Sequence, residues 1–261
     1  MKDQTLIFVT NDDGIHAPGL RALIGLAREM GEVVVVAPDK PQSGMGHAVT
    51  TSSPLRIKKI HTEDAYQEYS CNGTPADAVK VGEKVVLKRK PDLILSGINH
   101  GSNAGINLFY SGTMAAAMEG AMSGIPSAGF SLLDYAYTAD FGPALPYLRK
   151  IIRGMLEGRL TPHTCLNVNI PAVPSEQLQG IRVCRMGKGY WEEELEERTD
   201  PHEKPYYWLA GRFVSLDPHN DTDEWALKNN YISVVPLHLD LTEYKLLESL
   251  KIFENHDPHH T

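Results

Sequence analysis

Two carboxylates stand side by side at Asp12 and Asp13, between the apolar run Thr5–Val9 and Gly14. Like charges in contact repel, and a strand end beside a core is a poor place for both unless something positive faces them. The stretch Asp39–His47 (DKPQSGMGH) brings Ser43, and Ile98–Thr113 (INHGSNAGINLFYSGT) brings Asn99. These stretches hold acids, hydroxyls, amides and glycines with almost no Lys or Arg. Asp12, Asp13, the Ser43 hydroxyl and the Asn99 amide oxygen form an all-oxygen donor set. That chemistry suits Mg, Mn or Ca and not a structural zinc. Helix capping is the other reading of the acid pair, since carboxylates favour helix N-termini. Three loops bringing oxygen donors to one edge favour the cation.

A second constellation is Ser111, Gly112 and Thr113, directly before a helix rich in small residues that begins near Met114. Backbone N–H groups at a helix start bind anions, and the two hydroxyls add donors for a phosphate. A capped glycine turn explains the same three residues, and in isolation is the commoner case. His16, His47 and His100 lie in or beside these loops as acid–base candidates. No G-x-G-x-x-G follows the first strand, which reads NDDGIHAPG instead, and no P-loop or G-x-S-x-G occurs.

The elements that must position these loops alternate. Strands are expected at Thr5–Thr10, Val33–Pro38, Arg56–Ile60, Asp92–Gly97, Pro126–Leu132, Cys165–Pro171, Ile181–Met186 and Tyr231–Leu237. Helices are expected at Pro18–Gly31, Pro75–Leu87, Gly112–Gly124 and Phe141–Leu156, with an amphipathic last helix from Leu241 to Phe253. Short β-branched runs alternating with helices predict an α/β protein: an open, mostly parallel sheet with helices on both faces. In such sheets ligands bind beyond the carboxyl ends of the strands, where the candidate loops lie. The division expected is a catalytic domain over 1–186, an extended β-arm over 187–225, and a strand and helix over 226–261 that complete the fold. The arm carries the acidic run Glu192–Glu197 and scattered aromatics, too much for a plain loop. A hairpin packed on another subunit is the favoured reading, and a surface excursion on a monomer is the alternative. The tail Glu254–Thr261 reads as a frayed end, although His256, His259 and His260 are possible metal ligands.

The chain has 261 residues, enough for one large domain or two small ones, and a formal net charge of −8. That balance argues against a nucleic-acid binder. Three widely spaced cysteines, Cys71, Cys165 and Cys184, form no disulfide or CxxC pattern. Together with the absence of a signal-peptide pattern, this predicts a reducing, cytoplasmic location. No apolar run approaches the roughly 20 residues of a membrane span.

Five motifs in register carry a resemblance: TNDDGIHAPGLRAL, VVVVAPDKPQSGMGHAVT, NGTPADAVKVG, PDLILSGINHGSNAG and YSGTMAAAMEGAMSGIPS. Together they resemble the SurE (survival protein E) family of metal-dependent nucleoside monophosphate phosphatases. The likeness is strongest from about residue 5 to 132 and resumes at CLNVNIP and DTDEWALKNNYISVVPL. It implies a Rossmann-like fold whose C-terminal arm exchanges between subunits, in dimers and often tetramers. It implies one divalent cation per subunit on Asp12, Asp13, Ser43 and Asn99, and phosphate contacts from Asn103, Ser111, Gly112 and Thr113. The activity implied is hydrolysis of 5′- and 3′-nucleotides, and often of short polyphosphate; the chemistry of a metal-bound carboxylate makes Asp12 or Asp13 the general-base candidate. The alternative is a non-catalytic nucleotide-binding or scaffold protein of the same fold, which would have no need of the acids. One departure is Ala78, where Cys or another small residue is expected; that bears on packing only.

Overall fold

The computed structural model describes residues 4–158 and 160–254. The tail histidines His256, His259 and His260 lie outside the described residues. The first strand, β1 (Leu6–Thr10), is buried along its whole length. Its side chains alternate between two apolar layers. Ile7 and Val9 pack with Leu20, Leu23 and Leu148, while Leu6 and Phe8 pack with Ala78, Val79 and Ala116. A strand covered on both faces has no polar side, which is why the sequence here is a continuous apolar run.

The chain then runs α1 (Pro18–Arg28), β2 (Glu32–Pro38), β3 (Ile57–Glu63), β4 (Tyr66–Cys71), α2 (Pro75–Val81), β5 (Leu93–His100), α3 (Gly112–Met122), β6 (Ser127–Leu132), α4 (Leu145–Glu157), β7 (Cys165–Ile170) and β8 (Gly180–Val183). There follow β9 (Gly189–Thr199), β10 (Pro205–Ser215), α5 (Asp223–Lys228), β11 (Tyr231–Leu237) and α6 (Tyr244–Leu250). Nine strands form one sheet in the order β3-β4-β2-β1-β5-β6-β7-β11-β8. The six strands from β4 to β7 are all parallel; β3 pairs antiparallel with β4, and β11 antiparallel with β7. The α/β reading with a mostly parallel sheet and helices on both faces therefore holds. From β1 the chain winds outward through β2, then returns to the other side of β1 at β5. The strand order reverses between β1 and β5, so the crevice at their carboxyl ends is the place for a ligand.

Three elements differ from the sequence expectation. β4 (YQEYSC) is a strand that the sequence does not announce, because polar residues, Glu68 and Ser70, are buried within it. Glu68 is buried, accepting from Tyr66 Oη at 2.7 Å and from Arg21 at 2.5 Å. The helix expected over Pro75–Leu87 is α-helical only to Val81 and widens into a π-type turn over Gly82–Val86. At Gly82 a Cβ would lie 2.3 Å from the Phe8 ring, so the turn opens where the sheet presses against it. The helix expected from Phe141 begins as a 3-10 turn at Gly142–Ala144. Ala78, the departure noted above, is fully buried.

The arm is a two-stranded antiparallel hairpin, with β9 paired to β10 from Gly189↔Ser215 to Thr199↔Pro205. Most of its side chains are exposed, Leu195, Tyr207, Trp208 and Leu209 among them. No residue of α6 is buried either.

Candidate active site

The chain leaves β1 through a tight turn. Asn11 Nδ2 donates to the Gly14 carbonyl at 3.0 Å, and Gly14 takes φ +96°, open to glycine and strained for other residues. The turn buries Asp12, whose main-chain carbonyl accepts the Gln42 N–H at 2.8 Å, joining the loop after β2 to the acid pair. Asp12 Oδ1 accepts the Thr113 hydroxyl at 2.5 Å. Asp13 Oδ2 accepts the His100 backbone N–H at 3.3 Å. Burial, and then the charge of Asp13, push the Asp12 carboxyl up to about 7. Burial raises Asp13 as well, against the pull of the His100 N–H. Two neighbouring acids resist ionising together here, the condition the sequence raised.

At the end of β5 the pairing with β6 shifts between Ser96 and Asn99, a bulge that re-aims the strand end. Asn99 Nδ2 donates to the Gly101 carbonyl at 3.0 Å, which leaves Oδ1 as its free end. Asn103 is clamped from three sides. Its N–H donates to Asn169 Oδ1 at 2.8 Å, its carbonyl accepts from Asn167 Nδ2 at 2.8 Å, and its Nδ2 donates to Ser131 Oγ at 2.8 Å. A 3-10 turn, Gly105–Tyr110, then leads to Ser111, whose Oγ accepts the Met114 N–H at 3.0 Å and caps α3. Gly112 opens the helix against the acids, where a Cβ would lie 2.9 Å from Asp12 Cβ. A helix N-terminus beside carboxylates favours their charge and that of any anion placed there.

These residues meet in a cleft of about 510 Å³, within the roughly 300–1,000 Å³ of small-ligand sites. Asp12, Ser43, Asn99, Asn103 and Ser111 line it, while Asp13, Gly112 and Thr113 are not among the residues that do. Thr113 is fully buried with its hydroxyl hydrogen committed to Asp12, so it holds the acid rather than reaching the cleft. Of the three histidines only His100 lines the cleft; its ring nitrogens have no partner among the described residues and it packs edge-on to Phe141. His47 Nε2 instead pairs with Glu119 Oε1 at 2.7 Å, and His16 is exposed.

No Lys or Arg lines the cleft, and among the described residues no three His, Cys, Asp or Glu side chains gather as ligands. The donor set is thus two uncompensated carboxylates with a neutral hydroxyl and a neutral amide oxygen. That set fits a hard divalent cation and nothing softer. Tyr110, Tyr135 and Trp191 line the same cleft. Sequence reasoning marks Trp191 only as an arm aromatic, since nothing in its spacing relates residue 191 to residue 12.

The geometry has relatives. The profile of the family described as survival protein SurE matches residues 7–193. A protein of Flavobacterium psychrophilum named 5′-nucleotidase SurE is 54% identical over 246 residues, 94% of this chain and 96% of that one. One from Christiangramia forsetii, with the same name, is 50% identical over 258 residues, 98% of this chain and 99% of that one. The crystal structure of the SurE protein from Aquifex aeolicus superposes with a TM-score of 0.83 at 42% identity, covering 96% of this chain and 100% of that one.

Proposed function

This chain belongs to the survival protein SurE family, and we infer from that premise that it is a 5′-nucleotidase, releasing phosphate from nucleoside 5′-monophosphates. The observation that carries the reading is the cleft itself: the buried Asp12 carboxylate, neutral oxygen donors and a capped helix start converge with no Lys or Arg lining it. Asp12, Asp13, Ser43 and Asn99 would hold one divalent cation per subunit, Mg, Mn or Ca. Bound there, such an ion supplies positive charge to the transferring phosphoryl group and lowers the pKa of water in its shell.

The chain's own residues do the rest. Thr113 occupies Oδ1 of Asp12 and fixes the carboxylate. Asp12 or Asp13 takes the proton of the attacking water. Asn103, Ser111 and the backbone opening α3 at Gly112 hold the phosphate oxygens. The leaving nucleoside oxygen takes its proton from water or from His100. The same phosphate end accepts 3′-monophosphates and short polyphosphate. The exposed arm and α6 seat on further copies of the chain, as a homodimer and, through a second face, a tetramer. We place the protein in the cytoplasm, acting on free nucleotides and not on nucleic acid or membranes. Among the described residues no helix is long and apolar enough to cross a membrane.

The test is phosphate release from a panel of nucleoside monophosphates with Mn, with Mg and with EDTA, beside Asp12→Asn. Release that needs metal and falls at least about 100-fold in the variant is expected, since such sites supply several kcal/mol of charge stabilisation. Metal binding without release from any nucleotide would move the weight to a scaffold that binds nucleotides without turnover.

A further inference from the structure

The cleft is lined by an aromatic side chain that phosphate chemistry does not use. Trp191 stands there on β9, at the root of the arm, and it is held. Its Nε1 donates to Asn107 Oδ1 at 2.8 Å, and its ring meets Phe213 edge-on, centroids 6.3 Å apart. The root is fixed to the turn Gly105–Tyr110 by Asp223, a fully buried carboxylate that accepts the Gly105 N–H at 2.9 Å and the Gly187 N–H at 2.7 Å. Gly105 takes φ +53°, and Phe213 lies against it. The turn that carries Asn107 runs directly into Ser111. The indole is thus tied to the element that forms the phosphate end. The other two aromatics are freer: Tyr135 is 79% exposed and Tyr110 57%, against 36% for Trp191.

We propose that Trp191 is the platform on which the nucleobase of the substrate stacks, so that the arm's root determines which phosphomonoesters the site prefers. This deepens the nucleotidase reading and rests on it. The ligand class is a planar aromatic base joined to a phosphorylated sugar. An indole face reads the π-surface that every base has, so selection favours bases over base-free sugar phosphates and purines over pyrimidines, without choosing one base. A platform already fixed by Asn107, Phe213 and Asp223 loses little freedom when the base arrives.

The experiment compares kcat/KM for AMP with that for ribose 5-phosphate, read as a substrate or as a competitive inhibitor of AMP turnover. It uses the full chain in saturating Mn and the variants Trp191→Phe and Trp191→Leu. Both variants keep an apolar side chain against Phe213, and only phenylalanine keeps a ring. In Trp191→Leu the preference for AMP over ribose 5-phosphate falls about 10-fold, the order of one lost base stack, and in Trp191→Phe it stays within about threefold. AMP also quenches part of the tryptophan fluorescence of the wild type, and that part is missing in Trp191→Leu. An unchanged preference in Trp191→Leu, or an equal loss on both compounds, overturns the platform. A wild type that releases no phosphate from AMP or any other nucleoside monophosphate overturns the nucleotidase reading instead.

Discussion

Asp12 depends on a residue far along the chain, because Thr113 holds one of its oxygens. The pair of acids was legible in the sequence as a charge problem, and Ser43 and Asn99 as oxygen donors that the fold brings to the same cleft as Asp12. The holder was not: a hydroxyl before a helix looks the same whether it faces a ligand or a neighbouring carboxylate. The raised Asp12 pKa has a consequence for stability in EDTA. Its folded value of about 7 lies above the ordinary carboxylate value, so the folded state binds the proton more tightly. The stabilisation this gives is complete below about pH 4 and is lost as pH rises through about 7. In EDTA the urea midpoint of the wild type should therefore fall over that window, and that of Asp12→Asn should fall less. Thr113→Val keeps the volume and removes the bond. We expect turnover to drop about 10-fold or more, measured as phosphate release, because the carboxylate is no longer fixed.

The helices and strands that carry these residues were mostly readable, and the failures have physical causes. β1 and β2 are near-continuous apolar runs because both faces are covered, and β5 begins as one at Leu93–Leu95. β4 escaped because Glu68 and Ser70 are buried within it, and Glu68 is paired with Arg21, a tertiary partner that no local pattern reveals. α2 is shorter than its periodicity suggests because Phe8 fills the space beside Gly82. At the start of α3 the fit is tight in a way that bears on catalysis. Gly112→Ala places a methyl 2.9 Å from Asp12 Cβ, so the acid must move. A displacement of that kind costs up to about 100-fold in kcat, and kinetics at saturating Mn will read it. At the root of the arm, Asp223→Ala leaves the Gly105 and Gly187 N–H groups buried without an acceptor. The expected loss is about 2–5 kcal/mol, visible in denaturant unfolding.

The whole molecule joins a closed α/β body to an arm that it does not cover. The hairpin, α6 and the 3-10 turn Lys251–Phe253 leave Leu195, Trp208, Leu209, Leu247, Leu250 and Phe253 in water, an extent of apolar surface that monomers rarely keep. Replacing Glu192–Arg212 by a two-residue turn should give a smaller assembly by light scattering while the body still folds. The mostly parallel sheet followed from the strand–helix alternation, but the strand order, its reversal beside β1 and the seating of Trp191 in the cleft could be seen only once the chain was folded. The cleft is also spread widely in the sequence. Thr113 reaches Asp12 across 101 residues, Asn103 reaches Asn169 across 66, and Gly105 reaches Asp223 across 118. On a ribosome adding about 5–20 residues per second, Asp12 leaves the tunnel roughly 5 to 20 s before the hydroxyl that fixes it. The last clamp arrives later still. The nascent chain therefore carries its acids past the cell's nucleotides with nothing to aim them, and competence comes only after Asp223 has emerged.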